Sequence, residues 1–283
     1  GVEMLGRVSP GGAGRNRTLS RTRFLQIVIP LPPLSEQRRV VERIQALASP
    51  IHEARPLRQD AAEEAEALLS RAGSATLCST AAEAIRIDDL VGADGLRNGR
   101  SVKSIGVDSE VKCLTLSSMR NGLINTKDAK PVPMSRTEAG PFRIRRKDVY
   151  VVRGNGSKDL CGRAGLVTEE TDGVVFPDLF IRINLPTERI LPEFFVSAWN
   201  SSKVRSIIEE KAKTTSGIWK INQGHILSIS VPIPPLPEQR RIVAEMDALQ
   251  AEVDSLKRLQ SETAEELDAL LPAVLDRAFK GVL

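Results

Sequence analysis

The sequence predicts an α+β protein in which a mixed α/β domain is flanked by two long helices that pair as an antiparallel coiled coil. Three observations lead to this prediction: a segment that occurs twice, a helical pattern that follows each copy, and a block of strand-like runs between the copies. The predicted divisions are the remnant of a preceding domain with its connector over residues 1–34, a first spacer helix over 35–72, the α/β domain over 73–235, and a second spacer helix over 236–283.

The repeated segment, here called the connector, defines this organisation. Residues 26–47 match residues 228–249 at 12 of 22 positions, and the cores of the two copies read PLPPLSEQRR and PIPPLPEQRR. Proline cannot donate to a strand ladder and holds the preceding residue in an extended conformation, so each connector is expected to end a strand and begin a helix. Residues 1–25 stand before the first copy where the end of the α/β domain stands before the second, which predicts a remnant there.

A helical pattern follows each connector. Apolar residues recur at alternating spacings of four and three, which is typical of helices that pack along a seam. A 40-residue helix of this kind is about 60 Å long and would act as a spacer. Pro50, Pro56 and Pro272 are expected to kink or interrupt the helices. The predicted seam positions are Val40, Ile44, Leu47, Ile51, Ala54, Arg58, Ala61, Ala65 and Leu68 in the first helix, and Ile242, Met246, Leu249, Val253, Leu256, Gln260, Thr263, Leu267, Leu270 and Val274 in the second.

The block between the connectors predicts a mixed α/β fold. Strand-like runs such as VKCLTLSS, DVYVVRG, AGLVTE, GVVFPDLFIRINL and ILSISVPI alternate with Gly-, Asn- and Asp-containing turns. The segment LPEFFVSAWNSSKVRSIIEEKA is the best candidate for one or two helices within the block.

Charge and composition indicate the class of partner. Residues 81–235 carry 23 Lys and Arg against 18 Asp and Glu, whereas residues 236–283 carry 6 against 10. A basic middle block favours an anionic partner. The three cysteines are far apart, which argues against a disulfide framework or a metal site and fits a reducing cytoplasm. No apolar run approaches 18 residues and no signal peptide is visible, so we expect no membrane association.

Sequence motifs of catalytic sites would distinguish an enzyme from a binding protein. The sequence contains no GxxxxGK[ST] loop, no HExxH pair and no Asn/Asp-Pro-Pro-aromatic tetrapeptide, and the Gly-Asn-Gly at 154–156 does not extend to GxGxxG. His52 and His225 are isolated. We therefore predict that the chain is not an enzyme, with no catalytic residues, no metal and no cofactor of its own.

The connectors carry a resemblance to a known family. The segments Pro32–Arg39 and Pro234–Arg241, the stretch Arg153–Arg163 after the Asp148-Val149 turn, the stretch Thr214–Asn222 and the terminal LDRAFKGVL together resemble the specificity (S) subunit of type I restriction–modification systems, over essentially the whole chain. The resemblance implies one complete target recognition domain and both conserved helical regions. The family pattern has two recognition domains, so this chain departs from it by having only one whole.

This resemblance implies the function and the partners. The chain is expected to recognise double-stranded DNA and to direct adenine methylation and restriction by partner subunits. Those partners are methyltransferase (M) subunits and, through them, a restriction (R) subunit, which bind S-adenosylmethionine, ATP and Mg²⁺. The resemblance also implies that the connectors dock the M subunits, with Glu36, Gln37, Arg38, Arg39, Glu238, Gln239, Arg240 and Arg241 as the candidate contacts.

Basic and polar residues in loops of the α/β domain are the candidates for DNA contact. Lys and Arg side chains bind phosphates, and Asn, Ser and Thr hydrogen-bond to phosphates or base edges. With ten aromatic residues in all, the composition favours duplex DNA over single strands. The predicted contacts are Arg97, Arg100, Lys103, Ser117, Arg120, Asn121, Arg143, Arg145, Arg153, Asn155, Ser157, Lys158, Arg163, Lys213, Thr214, Thr215, Ser216 and Lys220.

Two alternative interpretations remain open at this point. The chain could be a coiled-coil scaffold whose globular domain binds a protein, or the specificity portion of a fused restriction–methylation enzyme. The paired helical patterns also predict that two copies can associate through their helices.

Overall fold

The computed structural model divides into two compact units. One contains residues up to Arg58 together with those from Gln260 onward, and the other contains residues 59–259. The structure describes residues 11–12, 16–17, 21–28, 31–79, 82–92, 94–104, 109–215 and 217–280.

The helices include two that are much longer than the rest. The first long helix (α2) has 46 residues and the second (α8) has 44. The helices are α1 (Arg21–Phe24), α2 (Leu34–Ser79), α3 (Ile87–Val91), α4 (Arg136–Ala139), α5 (Pro192–Trp199), α6 (Ser202–Lys211), α7 (Gln223–Leu227) and α8 (Leu236–Phe279). Short 3-10 turns cover Leu116–Ser118 and Gly140–Phe142.

The strands are short, with two to four residues each. They are β1 (Gly11–Gly12), β2 (Asn16–Arg17), β3 (Ala84–Arg86), β4 (Leu96–Asn98), β5 (Lys112–Leu114), β6 (Met119–Arg120), β7 (Leu123–Ile124), β8 (Ala129–Pro131), β9 (Val149–Val152), β10 (Gly154–Asn155), β11 (Ala164–Val167), β12 (Val174–Val175), β13 (Phe180–Ile183), β14 (Lys213–Thr215), β15 (Ile218–Lys220) and β16 (Ser230–Pro232).

In the first unit the two long helices run antiparallel. Arg55 Nη2 lies 2.6 Å from Asp268 Oδ1, and Gln260 Nε2 donates to the carbonyl oxygen of Arg58 at 3.1 Å. The earlier residue of the first helix therefore meets the later residue of the second, which is the antiparallel arrangement that the sequence predicts. A two-stranded ladder, β1 with β2, also belongs to this unit.

The seam of the second long helix differs in detail from the predicted heptad positions. Leu256 and Leu270 are 37% and 48% exposed, whereas the residues that follow them, Lys257 and Leu271, are partly buried. In the first helix, Leu47 and Leu68 are likewise exposed. The predicted seam positions Val253, Gln260, Leu267 and Val274 are partly buried, so this part of the seam was predicted correctly at alternate positions.

The prolines do not divide either helix into separate segments, so the predicted interruption does not occur. Pro50 and Pro56 lie within α2 and Pro272 within α8, and each helix is continuous through them. Pro50 and Pro56 are exposed, so water can bind the carbonyl oxygens that lose their helical partners there. The first helix also continues to Ser79 rather than ending near residue 72, and the first strand after it begins at Ala84.

The second unit holds the α/β domain. A six-stranded mixed sheet has the order β4-β13-β9-β11-β7-β6, in which only β11 and β7 are parallel. A three-stranded sheet, β12-β5-β8, adjoins it in the same unit, as do β10-β15-β14 and the pair β16-β3. The strand-like runs of the sequence correspond to β5, β9, β11, β12 and β13, and the predicted helical segment forms α5 and α6.

The core of this domain is aromatic on both faces of the large sheet. Phe195 stacks on Trp199 with ring centroids 5.5 Å apart, and both are fully buried. Tyr150 packs against Phe176 at 4.8 Å in a second cluster. Six large aromatic side chains of the domain, those of Tyr150, Phe176, Phe180, Phe194, Phe195 and Trp199, are fully buried, and their packing stabilises a unit built from short strands.

The chain enters and leaves the domain through neighbouring strands. β3 pairs antiparallel with β16, with Ile85 opposite Val231, and the amide of Ile233 donates to the carbonyl oxygen of Glu83 at 3.0 Å. The first and last strands of the domain are therefore paired with each other, β3 shortly after the first long helix and β16 shortly before the second.

Candidate nucleic-acid interface

Two of the predicted DNA-contacting loops form a single sheet. β10 begins the loop 153–163, and β14 and β15 form the hairpin 213–220; the three strands pair in the order β10-β15-β14. Lys220 faces Gly154 on one side and Lys213 on the other. Residues that are about 60 positions apart in sequence thus become neighbours, and we call this three-stranded sheet with the loop 153–163 the basic sheet.

The basic sheet places like charges opposite each other. Lys213 and Lys220 are a directly opposed cross-strand pair, and both side chains are exposed. Like charges at such a position destabilise a ladder. Among the residues that the structure describes, no carboxylate forms an ion pair with either lysine, or with Arg153, Lys158 or Arg163. The positive charge of this surface is therefore left for a ligand to neutralise.

The pKa of a partly buried histidine, His225, responds to the same positive charges. Burial lowers the pKa of His225, and the neighbouring Lys213 and Lys211 lower it further. The Nδ1 atom of this imidazole is buried without a hydrogen-bond partner within the described part of the chain. A proton on His225 would add a third positive charge beside two others, so both burial and the two lysines disfavour the protonated ring.

Trp219 supports the basic sheet from within. The ammonium group of Lys158 lies 5.0 Å from the centroid of the Trp219 ring, a cation–π distance. The ring itself is partly buried and packs against the main core. Trp219 therefore serves as a packing residue that also positions a lysine at the surface.

The loop 153–163 is tied to the domain at both ends. The amide of Arg153 donates to the carbonyl oxygen of Leu179 at 2.7 Å, and its own carbonyl accepts from the amide of Ile221 at 2.9 Å. At the other end, Trp199 Nε1 donates to the carbonyl oxygen of Gly162 at 2.8 Å. The loop is thus an ordered platform, which lowers the entropy lost when its side chains bind a ligand.

Gly162 is required at its position for two reasons. Its φ is +74°, and a Cβ built there would lie 2.4 Å from Cγ2 of Ile208 on α6. Only glycine adopts this conformation without strain and also leaves space for the helix. The close contact brings the end of the loop directly against α6.

Asn155 and Ser157 hold the loop in shape rather than pointing freely to solvent. Asn155 Oδ1 accepts from the amide of Ser157 at 2.9 Å, and the Ser157 hydroxyl donates to the carboxylate of Asp159. That hydroxyl keeps the pKa of Asp159 below its usual value. Both residues were predicted as DNA contacts, and in this structure each has a hydrogen bond to give up or share before it can bind DNA.

Predicted contacts in two other regions already have acidic partners. Arg100 Nη2 lies 3.4 Å from Glu138 Oε1, and Arg143 Nη2 lies 3.1 Å from Asp172 Oδ1. Exposed ion pairs of this kind are weak, so they can open when a phosphate competes. They nevertheless cancel much of the charge that the run 143–147 has in the sequence.

The remaining predicted contacts lie elsewhere in the same unit. Arg97 lies on β4, with its guanidinium 5.6 Å from the centroid of Phe142, and Arg145 and Lys103 are exposed. Ser117, Arg120 and Asn121 surround the β6–β7 hairpin, where Arg120 Nε donates to the Ser117 carbonyl oxygen at 3.2 Å. No hydrogen bond or ion pair among the described side chains joins these groups to the basic sheet.

Ser216 lies outside the described residues, and only the backbone of Thr215 is described, as part of β14 opposite Ile218. Thr214 is exposed on the same strand, opposite Trp219.

The connectors have the same local geometry in both copies. Arg39 Nη2 lies 2.7 Å from Glu36 Oε1, and Arg241 Nη2 lies 2.7 Å from Glu238 Oε1. In each pair, the arginine hydrogen bond lowers the pKa of the glutamate. These charges are paired with each other within one helical turn, whereas Arg38 and Arg240, predicted as partner contacts, are exposed without an ion pair in the described chain.

Gln239 differs from the other predicted partner contacts. Its side chain has no exposed surface; Oε1 accepts from the amide of Leu191 at 2.8 Å, and Nε2 donates to the carbonyl oxygens of Arg189 and Pro234 at 2.9 and 2.7 Å. Both N–H groups of its side-chain amide donate, and the amide oxygen accepts, inside the domain. In this fold Gln239 fastens the start of α8 to the start of α5 and is unavailable to a partner.

Sequence reasoning also missed residues that shape the basic sheet. His225 follows the N-cap Asn222 of α7, and Arg205 lies on the buried face of α6. A signal existed for Arg205, because it stands three residues before Ile208 on the apolar side of an amphipathic helix, where a cation is unusual.

No metal or membrane site is found in the described chain. Among its described residues, no group of three or more His, Cys, Asp and Glu side chains is placed to hold a metal ion. None of the described helices is long and apolar enough to cross a membrane.

Comparison with known proteins agrees with this architecture. The family described as "Type I restriction modification DNA specificity domain" matches residues 141–265, which include the basic sheet and the second connector. The StySPI specificity subunit of a type I restriction enzyme from Salmonella potsdam is 25% identical over 98% of this chain. The EcoKI specificity subunit from Escherichia coli (strain K12) is 27% identical over 98% of this chain.

Over nearly its whole length, the chain is similar to type I specificity subunits.

Two solved structures share the fold of this chain. A chain from a structural study of complex assembly and conformational transition of the type I R-M system superimposes with a TM-score of 0.67 at 25% identity, covering 90% of this chain and 62% of that one. The HsdS subunit from Thermoanaerobacter tengcongensis gives a TM-score of 0.58 at 23% identity, covering 100% of this chain and 67% of that one. The α+β fold with two long helices is therefore confirmed. The chain spans 62% of the length of each of the two curated relatives.

Proposed function

We propose that this chain recognises duplex DNA through the basic sheet and that it acts as the sequence-specificity subunit of a type I restriction–modification complex. The observation that carries the proposal is the opposed pair of Lys213 and Lys220 with no acidic partner in the described chain. Such a pair is a cost to the free protein that a polyanion removes. The family relationship supplies the type of polyanion, because the relatives are named as specificity subunits of restriction enzymes.

The resemblance to specificity subunits suggests which role each subunit of the complex would have. The chain would select the DNA sequence, while methyltransferase subunits carry out adenine methylation and a restriction subunit cuts. S-adenosylmethionine, ATP and Mg²⁺ would belong to those partners, and the assembly would work in the cytoplasm, where its DNA is. Arg38 and Arg240 are the connector arginines best suited to docking the methyltransferase, since both are exposed and their neighbours Arg39 and Arg241 are already paired.

Within the basic sheet, phosphate binding and base reading would be shared. Lys213, Lys220 and Arg153 are suited to phosphates, because they offer positive charge on an ordered platform. Arg163 and Lys158 extend from the loop 153–163 and are suited to base edges. Arg100 and Arg143 would contribute after exchanging their carboxylate partners for phosphate.

The first connector is proposed to hold a second recognition domain, of which residues 1–34 are the end. In the second copy, Ile226 and Gln239 are fully buried against the α/β domain. In the first copy the equivalent Phe24 is 46% exposed, and among the described residues the Gln37 side chain binds only the Pro32 carbonyl oxygen, at 2.7 Å. The same segment thus has a complete set of contacts in one copy and an unused set in the other, which supports a domain of the same kind at the first.

Binding to duplex DNA over a range of salt concentrations tests the proposal. The purified chain would be mixed with a duplex library that carries a randomised central segment, alone and with the methyltransferase subunits, and bound sequences would be selected and counted. We expect affinity to fall linearly on a logarithmic scale with salt, and a recurring motif to emerge. Binding that is insensitive to salt, or selected sequences that are no different from the input, would contradict the proposal.

A further inference from the structure

Arg205 combines deep burial with an incomplete set of partners. On α6 its side chain is 6% exposed, and its Nε and Nη1 atoms are buried without a hydrogen-bond partner within the described chain. Burial lowers the pKa of its guanidinium, and the nearby Arg163 lowers it further. An apolar residue would fill this position, beside Val204 and Ile208, without that desolvation penalty.

The remaining nitrogen of this guanidinium, Nη2, contacts the loop 153–163. Arg205 Nη2 donates to the carbonyl oxygen of Asp159 at 2.9 Å and lies 3.3 Å from Glu209 Oε1. The Asp159 carbonyl also accepts from Arg163 Nε at 2.8 Å. Two arginines therefore converge on one backbone oxygen, Arg205 from the buried side and Arg163 from the exposed side.

This arrangement fixes the orientation of Arg163. With Nε bound to the Asp159 carbonyl, both terminal nitrogens of Arg163 have no partner within the described chain. A guanidinium held by Nε presents its two terminal nitrogens as a fork, which is the geometry that binds guanine or a phosphate with two hydrogen bonds. The carbonyl that holds Nε is in turn held by Arg205.

We propose that Arg205 is a positioning residue, which fixes the Asp159 carbonyl so that Arg163 is presented to DNA in one orientation. This inference rests on the proposed function for its biological meaning but on the Arg205–Asp159–Arg163 contacts for its structure. It assigns sequence discrimination to a side chain that never touches the DNA. The repulsion between Arg163 and Arg205 also means that a bound phosphate or guanine at Arg163 stabilises both cations.

Hydrogen exchange of the free protein tests the positioning role without DNA. Arg205→Met keeps the length and apolar packing of the side chain but removes its donors, whereas the control Glu209→Gln removes only the solvent-side partner. We expect amides of 157–163 to exchange roughly tenfold faster in R205M, and those of β9 to be unchanged, because loss of one charge-assisted hydrogen bond destabilises the loop locally. Unchanged exchange over 157–163 would overturn the proposal.

DNA binding then separates positioning from direct contact. For R205M we expect affinity for the selected motif to fall about tenfold, affinity for unrelated duplex to be unchanged, and the salt slope to stay the same. A salt slope lower by about one, with equal loss on both duplexes, would show that Arg205 itself neutralises a phosphate and would overturn the proposal. If the wild-type chain binds no duplex, the proposed function fails while hydrogen exchange still decides the role of Arg205.

A second variant covers the case in which R205M does not fold. Arg205→Lys retains the charge and the stem but loses the planar fork that reaches the Asp159 carbonyl. We expect R205K to show the same faster exchange over 157–163 with little loss of overall stability. Exchange identical to the wild type in R205K would count against the proposal, because any cation at 205 would then suffice.

Discussion

Arg58 and Gln260 are 202 positions apart, the same offset that separates the two connectors, and each binds the backbone carbonyl oxygen of the other. Arg58 Nη2 donates to the Gln260 carbonyl, and Gln260 Nε2 donates to the Arg58 carbonyl at 3.1 Å. Because equivalent residues meet reciprocally, a local two-fold axis relating the two helices passes between them. The long helices therefore pair within one chain, and association of two copies through the same faces, which remains a prediction, would require exchange of helices.

The reciprocal pair should stabilise the helix pairing more than either hydrogen bond alone. Arg58→Ala removes a charge-assisted bond and Gln260→Ala a neutral one, so we expect losses in the free energy of unfolding of about 2 and about 1 kcal/mol. In a double-mutant cycle the two should couple by about 0.5–1 kcal/mol, since the bonds close one ring. Urea unfolding measures all three values, and strictly additive losses would show that the two bonds are independent.

Removing one lysine of the opposed pair should affect binding and stability in opposite directions. Lys213→Gln and Lys220→Gln each relieve the like-charge contact, so we expect the melting midpoint of the free chain to rise by about 1–2 °C. Each should also lower the slope of log affinity for duplex DNA against log salt by about one. Lys203→Gln, an exposed lysine of α6, is the control and should change neither by as much.

Gln239 and Gln37 offer a matched comparison across the repeat. Gln239→Ala removes three hydrogen bonds, to the amide of Leu191 and to the carbonyls of Arg189 and Pro234, of which the last is buried, and we expect a loss of about 3 kcal/mol in the free energy of unfolding. Gln37→Ala removes one exposed bond to Pro32 and should cost less than about 1 kcal/mol. A polypeptide that includes a preceding recognition domain should raise the cost of Q37A toward that of Q239A, and an unchanged cost would argue against a domain docked there.

Two glycines with similar backbone angles should respond differently to alanine. Gly162 has a φ of +74° and Gly217 a φ of +77°, but a Cβ at Gly162 would meet Ile208 at 2.4 Å, whereas one at Gly217 would meet nothing within 4 Å. We therefore expect Gly217→Ala to cost about 1 kcal/mol from backbone strain alone, and Gly162→Ala about 3 kcal/mol. Chemical denaturation of both variants gives the difference, and equal costs would mean that α6 moves aside at no expense.

The pH dependence of stability should reflect His225. Burial, Lys213 and Lys211 lower its pKa in the folded state below the value of about 6.5 in the unfolded chain. The unfolded state then binds the proton more strongly, so this contribution to stability is complete above pH of about 6.5 and is lost as pH falls through the folded pKa. Proton NMR of the imidazole should show the lowered pKa, a higher one in Lys213→Gln, and a higher one again when duplex DNA shields the two lysines.

The elements of this fold were predictable because their signals are local. β9 and β11 are continuous apolar runs, and α5 and α6 follow an apolar helical pattern that ends at Lys211. The antiparallel pairing of the long helices followed from two similar patterns in one chain. The predicted seam was less accurate. The heptad rule assigned Leu256 and Leu270 to it, whereas both are exposed in the structure.

The candidate site was less predictable because its determinants are distant in sequence. Arg143 looked free in its basic run, but its partner Asp172 lies 29 positions away, across a turn that no local pattern specifies. Gln239 looked like a surface residue in a charged segment, but its partners lie 48 and 50 positions earlier. The opposition of Lys213 and Lys220 needs the hairpin register, which a single sequence fixes only after the turn is known.

The pairing of β3 with β16 has a consequence for how the chain folds. For the two long helices to meet, the roughly 150 residues between them must form a loop, and closing a flexible loop of that length costs about 4 kcal/mol in chain entropy. Once the α/β domain has folded, its first and last strands are only about 4.8 Å apart, so most of that loss has already been met by the domain's own contacts. The two helices then pair as if a short loop joined them. We therefore expect the α/β domain to fold first and the helix pair to form rapidly afterwards.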